Sequence, residues 1–179
     1  PIAENRVDSE GVSLESGKAE PAQSKPTEIS GTAYGFLMDQ HERHELLVDL
    51  DNELLVGGVT LSEWCVLIVR ECDVVFVAGA DLATIITAAA GVETHLRAEY
   101  GGSERLSFAE LIARAPIEQK LAERLHELRR YRNRWVHVAS PHRDANFSSD
   151  SPDIALELQS WAIFAQRVLR QTLYENQWL

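Results

Sequence analysis

Leu125-His126-Glu127-Leu128-Arg129-Arg130-Tyr131-Arg132-Asn133-Arg134-Trp135-Val136-His137 reads as the last turns of a basic amphipathic helix. Leu121, Leu125 and Leu128 recur at helical spacing and point inward, which predicts a helix from about Ile117 to Val138. It closes just before the loop that opens at Ser140-Pro141. Arg132, Asn133 and His137 place a permanently charged guanidinium, an amide and an imidazole close together in the chain. These groups can bind a phosphodiester and move a proton at neutral pH.

Working outward, the periodicity predicts more helices. Thr60-Leu61-Ser62-Glu63 reads as a capping box. The helix behind it carries Leu61, Trp64, Cys65, Ile68, Cys72, Val75 and Phe76 at helical spacing. Val66, Val69, Val74 and Val77 make it apolar on its other sides, so it is expected to be central, with Gly79 as its stop. A second helix runs from Asp81, read as its N-cap, to Tyr100, with Ile85, Ala88, Ala89, Val92 and Leu96 as the buried stripe. Ser107 caps a short helix, Phe108 to Ala115, stopped near Pro116. The final helix has Asp150 or Ser151 as cap, Pro152 at its first position and Asp153 complementing the dipole. Its stripe is Ile154, Leu158, Trp161, Ala165, Val168, Leu169 and Thr172 or Leu173.

The predicted fold is therefore mainly α: an antiparallel bundle of four longer helices plus a short one, over residues 60–179. Residues 1–30 are polar, hold three of the six prolines and read as a flexible arm. Residues 31–59 form an extension. Within it Glu45 to Val56 is nearly palindromic about Asp51-Asn52 and reads as a small β-hairpin before the bundle, or as a short helix, the hairpin being favoured.

Composition bounds the function. The chain has 179 residues, 45% of them hydrophobic, enough for one domain with a core. Its longest apolar stretch, Val74 to Ala80, is too short to cross a bilayer, and no charged-then-apolar leader opens the sequence, so it reads as cytoplasmic with no membrane partner. Cys65 and Cys72 are seven apart on one helix, roughly 10 Å along the axis, which excludes a disulfide and suits small buried hydrophobes. The net charge of −11 argues against a general nucleic-acid coating protein. Between Lys120 and Arg134, however, six basic residues stand against two acids, a focused positive surface on an acidic body.

The chemistry follows from residue types. Arg132 would hold phosphate oxygens and stabilise charge growing in transfer, His137 would move a proton, and Asn133 would orient His137 or the substrate. Arg129, Arg130, Arg134 and Tyr131 would contact an RNA substrate, Tyr131 by stacking, while Trp135 reads as bundle packing. Asn133 and His137 share a helix face, but Arg132 and His137 lie about 140° apart around an ideal helix. Either the helix end loosens or a second subunit completes the site. Glu93 borders the apolar stripe of its helix and would pair with Arg132 across the bundle or with Arg97 four residues on. No metal is expected: His41 with His44, and His137 with His142, lack a supporting carboxylate or cysteine cluster.

Leu128 to His137 resembles the signature of the HEPN superfamily, Arg-x(4–6)-His with a polar residue directly after the arginine. Val92-Glu93-Thr94-His95-Leu96-Arg97 and Leu106-Ser107-Phe108-Ala109-Glu110-Leu111-Ile112 resemble the segments that precede the motif in bacterial members, so the likeness spans about Thr60 to Gln177. It implies a helical bundle that pairs into a homodimer, with two motifs facing one cleft and Arg132, His137 and Asn133 as the catalytic set. Many members are metal-independent ribonucleases that act as toxins or defence effectors without a cofactor, some held by an antitoxin or another regulatory protein. Others bind nucleotides or act as scaffolds. Members paired with a nucleotidyltransferase antitoxin often carry a tyrosine two residues after the histidine, where this chain has Ala139. Two readings follow: a dimeric HEPN-type endoribonuclease, or a non-catalytic dimeric module that binds a nucleotide or a protein partner.

Overall fold

A computed structural model describes residues 36–138, 148 and 151–178. The polar arm, most of the loop after the motif helix, Ala139 and His142 lie outside the described residues. Six helices are present among those described, and no strand: α1 (Gln40–Leu54), α2 (Glu63–Val77), α3 (Asp81–Tyr100), α4 (Phe108–Arg114), α5 (Gln119–Val136) and α6 (Pro152–Leu173).

The fold is mainly helical, as predicted, but the hairpin is not formed. Residues 40–54 are one helix, capped by a reciprocal pair in which Glu42 N donates to Asp39 Oδ1 at 2.9 Å and Asp39 N donates to Glu42 Oε2 at 2.8 Å. Arg43, Leu47 and Leu50 recur at helical spacing and are buried against α2 and α6. Asp51 is no turn residue: it accepts from Arg170 Nε at 2.8 Å and from the Tyr174 hydroxyl at 2.7 Å. Only one isolated antiparallel bridge, Gly58 with Trp178, appears nearby among the described residues. There Gln177 closes the linker, accepting from Val56 N and Gly57 N and donating to the Leu54 and Tyr174 carbonyls.

With α1 helical the bundle has five longer helices rather than four. Consecutive ones run antiparallel: Cys65 and Cys72 of α2 face the Gly91 and Thr84 carbonyls of α3 in reversed order. α3 and α6, however, run parallel and in contact, so the wholly antiparallel arrangement is corrected. Their register is read from Arg43, which bridges Asp81 and Gln159 at one end, and from Asn176, which donates to the Tyr100 hydroxyl at the other. Between them Leu169 lies against Gly91, where an added Cβ would meet Leu169 Cδ1 at 3.1 Å. α2 packs on α1 and α3, while α5 packs on α3, α4 and α6. The α3–α6 pair therefore separates the outer face of α2 from the motif helix.

Local chemistry sets the boundaries. Ser62, not Thr60, caps α2, accepting from Cys65 N at 3.3 Å, which leaves Glu63 in the first turn beside the positive end of the dipole. Gly79 (φ 78°) ends α2 in a Schellman arrangement, with Gly79 N donating to Phe76 O and Ala80 N to Val75 O. Ala80 is the N-cap of α3, so Asp81 is its first helical residue. Ser107 caps α4 with Glu110 reciprocating, and Ser151 with Pro152 opens α6.

The stripe predicted for α3 is buried throughout, and so are Leu121, Leu125 and Leu128 of α5. α2 is less central than its composition suggests: Cys65, Cys72 and Phe76 face the core, but Trp64, Val66, Leu67 and Val74 are exposed. Burial pushes the Cys65 thiol up to about 11 and the Cys72 thiol up to about 12. Both stay protonated near neutral pH, so a thiol-specific reagent should modify neither in the native protein and both after denaturation. Counting labelled thiols at pH 8 before and after adding guanidinium checks this.

Two buried guanidiniums tie the helices together. Arg43 donates to Met38 O, Phe76 O, both Asp81 carboxylate oxygens and Gln159 Oε1, and lies over the Phe76 ring at 5.1 Å. Arg170 donates to Asp51, Gln166 and both oxygens of Asp73. Replacing Arg170 with Met strands Asp73 and should cost about 3 kcal/mol or more, whereas the exposed Arg114→Ala should stay within about 0.5 kcal/mol. Urea unfolding of both variants measures the contrast.

Candidate functional site

The basic stripe of α5 places its residues unequally. Leu121, Leu125 and Leu128 anchor one face, which leaves the remaining positions of the last three turns to form a polar ridge. Arg132 is half-buried, and its Nη1 donates to Asn133 Oδ1 at 3.0 Å. Its Nε, like that of Arg129, is buried and meets no acceptor among the described residues. His137 is exposed and stands at the C-cap, where its N donates to Asn133 O at 2.9 Å and its own φ, ψ of −122°, 60° leave the helix. Regular helix therefore ends at His137, whose own N–H still closes the last i→i−4 bond, so the ideal-helix separation from Arg132 stays. Asn133 joins the two: its side chain holds the guanidinium and its carbonyl holds the last helical turn.

Other expected contacts are corrected. Tyr131 is only 3% exposed; it stacks on Trp161 at 4.0 Å and donates its hydroxyl to Glu157 at 2.9 Å. It is a core aromatic and offers no face to a base. Trp135 packs edge-on to it at 6.3 Å, in keeping with a packing role. Arg134 is exposed but engaged, paired with Glu157 at 2.9 Å and lying over the Trp135 ring at 5.3 Å. Arg130 is exposed and Arg129 half-buried.

Glu93 takes the alternative partner: Arg97 donates to it at 2.8 Å and also to Leu106 O. The register explains why it does not meet Arg132. Glu93 follows Gly91, level with Leu169, whereas Arg132 follows Tyr131, level with Glu157 and Trp161. Those levels are about 12 to 18 Å apart along α6. His41 contacts Glu45 at 3.3 Å on an exposed turn of α1.

One residue of the ridge was not singled out from the sequence as a site residue. His126, Arg130, Asn133 and His137 fall at i, i+4, i+7 and i+11, so they lie along one line of α5, with Arg129 beside it. Desolvation, then the charges of Arg129 and Arg130, hold His126 below the usual histidine range. The signal was the spacing itself. The ridge lies apart from two open grooves: one of about 550 Å³ beside Arg97, Ser103 and Arg105, and one of about 710 Å³ bounded by Leu37, Leu82, Ile86 and Leu158.

No family model matches the chain, and no curated protein or solved structure matches it significantly.

A neutral imidazole beside two guanidiniums has a direct signature. Removing one positive charge favours imidazolium, so Arg130→Ala should raise the His126 titration midpoint toward the ordinary value of about 6.5. Histidine ring resonances followed by NMR across pH 4 to 8 in wild type and variant test the direction.

Proposed function

We propose that the chain is a metal-independent endoribonuclease of the HEPN type, a toxin or defence effector that works as a homodimer with Arg132 and His137 in a composite cleft. The observation that carries this reading is the Arg132–Asn133–His137 arrangement: a guanidinium steadied by a neighbouring amide, with an exposed imidazole one turn on where the helix ends. Arg132 keeps N–H groups beyond the one bonded to Asn133, so it can still take phosphate oxygens. In the reaction, neutral His137 takes the proton of a ribose 2′-hydroxyl and the 2′-oxygen attacks phosphorus. The 5′-oxygen leaves with a proton from the imidazolium of the second motif, yielding a 2′,3′-cyclic phosphate and a 5′-hydroxyl. Arg132 stabilises the charge that grows on the phosphoryl oxygens. Arg130 and His126 extend the ridge along which a strand would lie.

A second reading, a non-catalytic dimeric module for a nucleotide or protein partner, is favoured by the net charge of −11 and by the use of Tyr131 and Arg134 in packing.

The purified protein should cut single-stranded RNA in EDTA, and His137→Ala and Arg132→Ala should each lower the rate by about 100-fold or more with folding unchanged. Gel analysis of end-labelled RNA with circular dichroism of each variant measures both. Undiminished cleavage by His137→Ala overturns the nuclease reading. No cleavage by wild type, with saturable nucleotide binding, replaces it with the module.

A further inference from the structure

α2 carries apolar area left exposed among the described residues. Trp64 is 73% exposed, Leu67 43% and Val74 57%. With Glu71 they fall at intervals of three, four and three residues, the spacing of a coiled-coil seam. The core-facing Cys65, Cys72 and Phe76 lie about 140° around the helix from this seam, so the seam faces out of the bundle. An exposed tryptophan beside two aliphatic side chains has the composition of an association surface.

Its charges suit a second copy of the same helix. The pairs Trp64 with Val74 and Leu67 with Glu71 are both centred on position 69. If two copies of α2 pack antiparallel about a two-fold axis there, Trp64 of each meets Val74 of the other, and Leu67 meets the stem of Glu71. Charge follows the same symmetry. Arg70 is the only base on α2, and within one chain it bonds Glu71 at 3.2 Å on an exposed surface. In the antiparallel pair each Arg70 comes between Glu63 and Glu71 of the other copy, so the seam is complementary to itself. We infer that α2 is a homotypic seam through which two copies of this chain associate antiparallel. The α3–α6 pair stands between this seam and α5, so the two surfaces are separate and the inference does not rest on the nuclease reading. A 15-residue helix is about 22 Å long, so the seam alone buries less than a standard interface of about 800 Å² per partner, and association in the micromolar range is expected.

Sedimentation equilibrium of the full chain, at concentrations up to roughly 100 µM to cover weak interfaces, tests the seam. The double variant Trp64→Glu/Val74→Glu should have half the wild-type mass, whether wild type is a dimer or, with its α5 ends also paired, a tetramer. Both positions are exposed, and circular dichroism checks that the fold is kept. A wild-type monomer, or equal masses for wild type and variant, overturns the inference. Orientation is read separately by mixing Trp64→Cys with Val74→Cys under mild oxidation. The two variants should cross-link to each other and neither to itself, because identical positions would lie about 15 Å apart, beyond disulfide reach. Self-linking of either variant also overturns the antiparallel seam.

Discussion

Arg170 is a cation held almost wholly out of water in the middle of the bundle, and the relative placement of three helices depends on how its charge is met. Asp51 of α1, Asp73 of α2 and Gln166 of α6 accept its hydrogen bonds, and the Tyr174 hydroxyl completes the set on Asp51. A buried guanidinium without these partners would cost several kcal/mol. Burial raises the Asp73 carboxyl above its usual range, while Arg170, bonded to both its oxygens, opposes that shift. Arg43 repeats the arrangement toward the other end of α1, where Asp81, Gln159 and two backbone carbonyls use its donors. α1 is thus clamped near both ends, which accounts for a helix where a near-palindromic stretch suggested a hairpin.

The same bookkeeping of donors separates structural arginines from those able to act. Arg43 and Arg170 spend their N–H groups inside the protein. Arg134 is committed to Glu157, and Arg97 to Glu93 and Leu106. On α5, Arg132 is steadied among the described residues through the bond from Nη1 to Asn133, and Arg130 stands exposed. A guanidinium with donors left over, held by one neighbour, suits phosphate recognition better than one already saturated. This contrast, rather than the number of basic residues, gives the end of α5 its chemical character.

Much of the fold was legible because buried stripes repeat with helical period. Ile85, Ala88, Ala89, Val92 and Leu96 of α3, and Leu121, Leu125 and Leu128 of α5, are buried where spacing placed them. Helix stops were legible where glycine chemistry is specific, as at Gly79. α1 was not, because its decisive contacts lie far away in sequence: Arg43 with Gln159, and Asp51 with Arg170. The candidate site was legible in its residue types and less so in its contacts. Tyr131 reads as a stacking surface in the sequence, and the distant Trp161 makes it a core aromatic instead. Glu93 had two partners within plausible reach by sequence, and the register of α3 against α6 leaves it with Arg97.

Sequence by itself determined the helical class, most helix ends, the inward stripes and the order Arg132, Asn133, His137 along one helix, because these depend on periodicity and on groups a few residues apart. Tertiary structure alone decided that α3 and α6 run parallel, that α1 joins the bundle, that Tyr131 is buried and that the Trp64 side of α2 faces outward. Those outcomes depend on which distant side chain meets a buried charge or covers an apolar face, and no local pattern carries that information.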